Sequence, residues 1–307
     1  MNKADSIKSR LKNLAIAEKK QFDYLLMLYF IERILYRISV SKYRDVFVLK
    51  GGLLLYTILD DKARATKDID LLARELASTL DGLQKIFKEV CSIEADDAVR
   101  FDTETIRAER IKEDADYEGV RIKVTAFLDK SKKTLQFDIG FGDVIVPKAV
   151  EMEYPSLLDM DTPKIKAYSI ESVIAEKFEA MLYLAEANSR MKDFYDVYVL
   201  SKTSCFDGRV LYEAISQTLQ RRGTPLSKTP TVFSEEFRGL KDKQTQWNAF
   251  MRRIETKIDA GFDDVVLLVK VFLSPIYECI LNEEEFFGQW DKNALEWLHD
   301  AKVGLIW

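Results

Sequence analysis

The stretch that decides the fold is Lys50-Gly-Gly-Leu-Leu-Leu-Tyr-Thr-Ile-Leu-Asp-Asp-Lys-Ala-Arg-Ala-Thr-Lys-Asp-Ile-Asp70. The run before it, Val46-Phe47-Val48-Leu49, is apolar and partly β-branched, and reads as a buried strand. Gly51 and Gly52 break that strand and let the backbone turn tightly or approach a ligand closely. Leu53 to Leu59 is long enough for a two-turn helix, and Asp68 to Leu72 reads as a second strand. Side chains alternate along a strand, so Asp68 and Asp70 share one face while Ile69 and Leu71 turn to the core. Two carboxylates held side by side repel unless a cation lies between them. Hard oxygen donors of this kind suit magnesium or manganese.

Outward from that stretch, residues 4–40 carry a helical period that predicts a pair of helices. Tyr29, Arg33 and Arg37 within them read as packing rather than as ligand contacts. Leu76, Leu80, Leu83, Phe87 and Val90 predict another helix, and residues 99–104 and 106–112 read as strands. Val120, Ile122, Val124, Ala126 and Leu128 alternate with polar residues as a half-buried strand does. The polar turn at residues 129–133 joins it as a hairpin to a strand over 134–143. On that strand Asp138 stands in mid-run, where Asp is disfavoured for folding, so a ligand role is expected; Asp143 reads as a turn or cap.

Pro147, Pro155 and Pro163 punctuate a loop-rich stretch that separates two expected domains, residues 1–160 and 161–307. The second is expected to be helical throughout. Ser169 caps a helix whose stripe is Ile170, Ile174, Phe178, Met181 and Leu182, with Lys177 at the stripe's edge, where a lysine can simply snorkel. The next helix opens near Ser189 and carries Arg190, Lys192, Asp193 and Asp196; Lys192 is placed to pair with Asp196. Pro275 should bend or break the last long stripe. Arg221, Arg222, Lys228, Arg252 and Arg253 read as ordinary surface rather than as an RNA cleft.

Composition narrows the class. The chain has 307 residues, 47% hydrophobic and 32% charged, with a net charge of −5, which suits a globular protein and does not announce a nucleic-acid binder. Cys91, Cys205 and Cys279 are far apart with no metal-type spacing, so a reduced, cytoplasmic protein is expected. No signal peptide and no membrane span is read from the sequence. The single histidine, His299, argues against histidine-based general base catalysis.

Gly-Gly followed by Asp-x-Asp, with a lone carboxylate on a later strand, resembles the DNA polymerase β-like nucleotidyltransferases. The closer resemblance is to the AbiEii/AbiGii toxin branch, of type IV toxin–antitoxin and abortive-infection systems. It rests on Leu49-Lys50-Gly51-Gly52, Arg64-x-Thr66-x-Asp68-Ile69-Asp70-Leu71 and Asp138-Ile139-Gly140-Phe141-Gly142-Asp143. It rests equally on Ala175-Glu176-Lys177-Phe178-Glu179-Ala180 and on the segment Asn188 to Asp196, all in one order. Several pieces in register are far more specific than any one of them. The resemblance implies an α+β fold: a nucleotidyltransferase mixed sheet with flanking helices, then a helical domain. It implies that Asp68, Asp70 and Asp138 hold Mg2+ or Mn2+, and that Gly51 and Gly52 approach an NTP. Lys177 would reach the triphosphate and Asp193 would be catalytic or position Lys177, with Asp196 behind them.

The chemistry is consistent with that assignment. Nucleotidyl transfer needs neutralised phosphate charge and an activated hydroxyl held in line, and two metal ions roughly 4 Å apart supply both. Asp68 and Asp70 would bridge the metals, and Asp138 would complete one shell. Arg64 and Thr66 are expected on phosphate oxygens, as charge-assisted donors, and Lys67 at the surface. The expected function is NMP transfer from an NTP to an RNA acceptor, a tRNA 3′ end, restrained by a cognate antitoxin. The alternatives are NMP transfer to a protein hydroxyl, or a nucleotide-binding toxin without turnover.

Overall fold

The computed structural model describes residues 2–59, 63–114, 117–254 and 258–298. Residues 60–62 of the opening stretch, and His299, lie outside them. The chain forms two compact units: residues 1–57, 66–142 and 149–168 make the first, and residues 58–65, 143–148 and 169–307 the second.

The first unit carries a seven-stranded mixed sheet of order β3-β4-β5-β2-β1-β7-β6. Its strands are β1 (Phe47–Lys50), β2 (Asp68–Ala73), β3 (Val99–Asp114), β4 (Tyr117–Leu128), β5 (Ser131–Phe141), β6 (Val150–Glu153) and β7 (Lys164–Ala167). The pairs β2–β5 and β1–β7 are parallel and the rest antiparallel. The helices are α1 (Lys3–Ala17), α2 (Phe22–Val40), α3 (Gly51–Leu59) and α4 (Leu80–Cys91). As the alternation predicts, Ile69, Leu71, Ile122, Phe137 and Ile139 are fully or almost fully buried. Phe87 of α4 packs between Phe47 and Phe137, with ring centroids 5.7 and 4.8 Å away. The two short strands expected over 99–112 are one long strand, interrupted by a register shift between Asp102 and Arg107. Arg37 of α2 is buried on Asp97, at 2.7 and 3.1 Å, and Arg33 on Glu32, so both serve packing.

The second unit contains α5 (Ile170–Leu184), α6 (Met191–Thr203), α7 (Gly208–Arg222), α8 (Glu235–Gly239), α9 (Lys241–Arg253) and α10 (Phe262–Asn282). Ser169 caps α5, accepting a hydrogen bond from the Ser172 amide. Gly223 ends α7 in the left-handed conformation, as the Arg-Arg-Gly sequence predicts. Two expectations are corrected. Pro275 lies inside α10, which runs through it without the break. The unit is also not wholly helical, because β8 (Phe206–Asp207), β9 (Gln289–Asp291) and β10 (Glu296–Leu298) form a small antiparallel sheet. Strands of two or three residues are too short to show a period. Phe272 of α10 packs against Trp290 and Trp297, with centroids 4.7 and 5.7 Å away.

Candidate active site

In the first unit the expected residues lie on the polar face of the sheet. Asp68 and Asp70 share that face, Asp68 exposed and Asp70 half-buried, with Ile69 buried between them. Parallel pairing of β2 with β5 sets Asp70 opposite Asp138 and Asp68 opposite Gln136. Adjacent strands are about 4.8 Å apart, so the carboxylates of Asp70 and Asp138 rise from neighbouring positions. Antiparallel pairing of β1 with β2 sets Lys50 opposite Asp70. Lys50 is 6% exposed, with its ammonium 5.7 Å from the centre of the Tyr168 ring.

Gly51 begins α3 with φ +68, a conformation that favours glycine. A Cβ at that position would lie 2.0 Å from Oδ2 of Asp70. The Asp70 carboxylate therefore fills the space that the glycine leaves. Gly52 and Thr66 are buried nearby in sequence, at the start of α3 and just before β2.

Asp138 meets a cation on the neighbouring strand. Arg121, directly opposite on β4, donates from Nε and Nη2 to the two carboxylate oxygens at 2.8 and 2.9 Å. The hydrogen bond to Asp138 raises the Arg121 pKa, and the charges of Asp138, Glu109 and Asp68 add to it. Each carboxylate oxygen of Asp138 thus accepts one hydrogen bond from Arg121. Among the described residues no group of three or more His, Cys, Asp or Glu is placed to hold a metal ion. The hard oxygen donors on this face are Asp68, Asp70 and Asp138, the last bonded to Arg121.

The second unit holds a buried ladder of alternating charge. Lys177 of α5 donates to Asp193 at 2.8 Å and to Asp196 at 2.7 Å, both on α6. Three-residue spacing puts those two aspartates on one side of the helix. Arg190 pairs with Asp193 at 2.7 Å, and Arg64 with Asp196 at 3.1 Å. Side-chain exposure is 1% for Asp193 and 2% for Asp196. Burial works against the charge on Lys177, but Asp193 and Asp196 outweigh it and its pKa rises above the ordinary value. Burial likewise opposes the charge on Asp193, and Lys177 and Arg190 bring its pKa below the ordinary value. Arg64, expected on phosphate, is thus tied to Asp196, and Asp196 pairs with Arg64 and Lys177 rather than with the exposed Lys192.

Arg222 is also not a surface residue. It is half-buried against Glu179, Asp143 and Glu176, at 2.7, 3.5 and 3.8 Å. Asp143 is one of the carboxylates of that cluster. The residues beside the site that sequence reasoning did not place there are Arg121 and the buried Lys50. The signal for Arg121 was in the hairpin: Leu128 pairs with Ser131, and seven residues back along one strand and on along the other meet Arg121 and Asp138.

Comparison with curated proteins gave no match. Two solved structures are similar over most of their length. MenT4, a nucleotidyltransferase toxin from Mycobacterium tuberculosis H37Rv, is 14% identical with a TM-score of 0.49, covering 91% of this chain and 99% of that one. JHP933 from Helicobacter pylori is 12% identical with a TM-score of 0.46, covering 85% of this chain and 94% of that one. The family described as nucleotidyl transferase AbiEii toxin, type IV TA system, matches residues 33–267, which span all the residues above. With the Gly51 turn, the Asp68–Asp70 strand and the Lys177–Asp193 ladder inside that match, the chain belongs to the AbiEii nucleotidyltransferase toxin family.

Proposed function

We propose that this toxin transfers a nucleoside monophosphate from an NTP to an RNA acceptor, a tRNA 3′ end, with release of pyrophosphate. In this reading the transfer halts growth, in a toxin–antitoxin or abortive-infection setting, until a cognate antitoxin restrains it. The observation that carries the reading is the pair Asp68 and Asp70 on one sheet face, with the Asp70 carboxylate closed against the backbone of Gly51. Nothing bulkier than glycine leaves room there, so the acidic strand and the turn act as one element. Magnesium or manganese at Asp68 and Asp70 would neutralise triphosphate charge.

The chain's own residues have these proposed roles. Asp68 and Asp70 supply hard oxygen donors, and Gly51 and Gly52 give the nucleotide close access to backbone. Thr66 offers a hydroxyl to phosphate. Lys177 contributes to nucleotide binding as a fixed cation, and Asp193 positions it, which the 2.8 Å contact between them supports. Arg64 holds Asp196 and so supports the same lysine. Cys91, Cys205 and Cys279 are free thiols, which fits a reducing, cytoplasmic setting. Among the described residues no helix is long and apolar enough to cross a membrane.

The test is incorporation from each labelled NTP, with magnesium, into total RNA and total protein. Label at tRNA 3′ ends with wild type, reduced at least a hundredfold in a folded Asp70→Ala variant, is the expected result. Label in protein would replace the acceptor, and nucleotide binding without transfer would overturn the reading.

A further inference from the structure

Four charged residues lie in register across the polar face of the sheet. Lys50 on β1 opposes Asp70 on β2, Asp70 opposes Asp138 on β5, and Asp138 opposes Arg121 on β4. The order of charge is plus, minus, minus, plus. Two carboxylates on adjacent strands repel unless each meets positive charge. Arg121 supplies it for Asp138 through two hydrogen bonds of 2.8 and 2.9 Å, the strongest geometry a carboxylate has with a side-chain cation. Gln136 lies beside the pair, and its amide oxygen, turned toward the donors, accepts from Arg121 Nε at 3.1 Å. Beyond Arg121 the register continues to Glu109, which bonds Lys123 at 2.9 Å.

From this row we infer that Arg121 stands where a second metal ion would otherwise sit, so the acidic face takes one divalent cation, at Asp68 and Asp70. The inference rests on the metal reading of the proposed function. A second ion at Asp138 would have to displace a bidentate guanidinium that is held by Gln136 as well. It would also set two positive charges beside a third that cannot be deprotonated. Asp68 is different: it opposes Gln136, not a cation, and it is exposed. The face thus has a neutralised row and a single acidic edge. Arg121 here is a positioning residue that closes Asp138 to metal.

The experiment counts Mn2+ bound per full-length chain, by electron paramagnetic resonance of free ion and by equilibrium dialysis. Wild type is expected to bind one Mn2+, lost in Asp70→Asn. Arg121→Leu and Arg121→Gln, each confirmed folded by circular dichroism, are expected to bind two. Adding Asp138→Asn to either returns the count to one. Arg121→Lys, which keeps the charge, stays at one. Two ions in wild type, or one in both neutral variants, would overturn the inference and leave the proposed function standing. No Mn2+ bound, or binding untouched by Asp70→Asn, would remove the metal from the proposed function and the inference with it.

Discussion

Lys177 is the residue whose loss should be felt most in the second unit. Removing one partner of a buried ion pair strands the other charge, at a cost of about 3–5 kcal/mol. Lys177→Met leaves Asp193 to Arg190 and Asp196 to Arg64, so we expect a loss near the lower end of that range. Trp247, Trp290 and Trp297 all lie in this unit, so tryptophan emission during guanidinium unfolding reads the change directly. The pH dependence has two edges. The Asp193 pKa is lowered by folding, so its contribution is present above its ordinary 3.8 and is lost as pH falls through the lower folded value. The Lys177 pKa is raised, so its contribution is present below 10.5 and is lost as pH rises through the higher folded value. In Lys177→Met the alkaline edge should vanish from the stability profile. At this scale the sequence was partly legible. The aspartates and the lysine stood out by type, but their partners did not. Arg64 is 132 positions from Asp196, and no local pattern joins them.

At the scale of elements, the turn from β1 into α3 depends on one missing side chain. Gly51→Ala adds a Cβ to a residue at φ +68 and drives it into Asp70 Oδ2, 2.0 Å away. A strained backbone costs on the order of 1–3 kcal/mol, and displacement of Asp70 adds to it. Thermal denaturation should show a lower midpoint, and Mn2+ binding should fall together with it. A variant with wild-type midpoint and wild-type metal binding would show that the crowding is relieved by a small rotation of Asp70. Most elements were readable from period: α1 to α4 and strands β1, β2, β4 and β5 follow the apolar spacing. The Arg121 partner of Asp138 was not legible, because strand alternation says which face a side chain takes but not what opposes it. The opposing residue comes from the hairpin register, and Asp129, at φ 53 in the two-residue connection, is where that register is set. The short strands β8 to β10 have no period to read, and are held by Trp290 and Trp297 against α10.

At the scale of the whole molecule, chain order and membership of a core part company. Composition and proline placement suggest one boundary near residue 160, whereas residues 58–65 and 143–148 belong with residues 169–307. Which core a segment joins depends on partners distant in sequence, and Arg64 with Asp196 and Asp143 with Arg222 are such partners. Expressed alone, a fragment of residues 169–307 should therefore exchange its α6 and α7 amide hydrogens far faster than the same helices in the full chain. Equal protection in both would show that the two short segments contribute nothing to that core.

The two short segments also bear on inheritance. A recombination event with a single crossover would pass on Asp196 without Arg64, and Arg222 without Asp143. Such a chimera would begin life with Asp196 left to Lys177, and Arg222 left to Glu179 and Glu176. The helical unit is therefore not a cassette that can be traded between relatives at one junction; its donor must bring the two loops along.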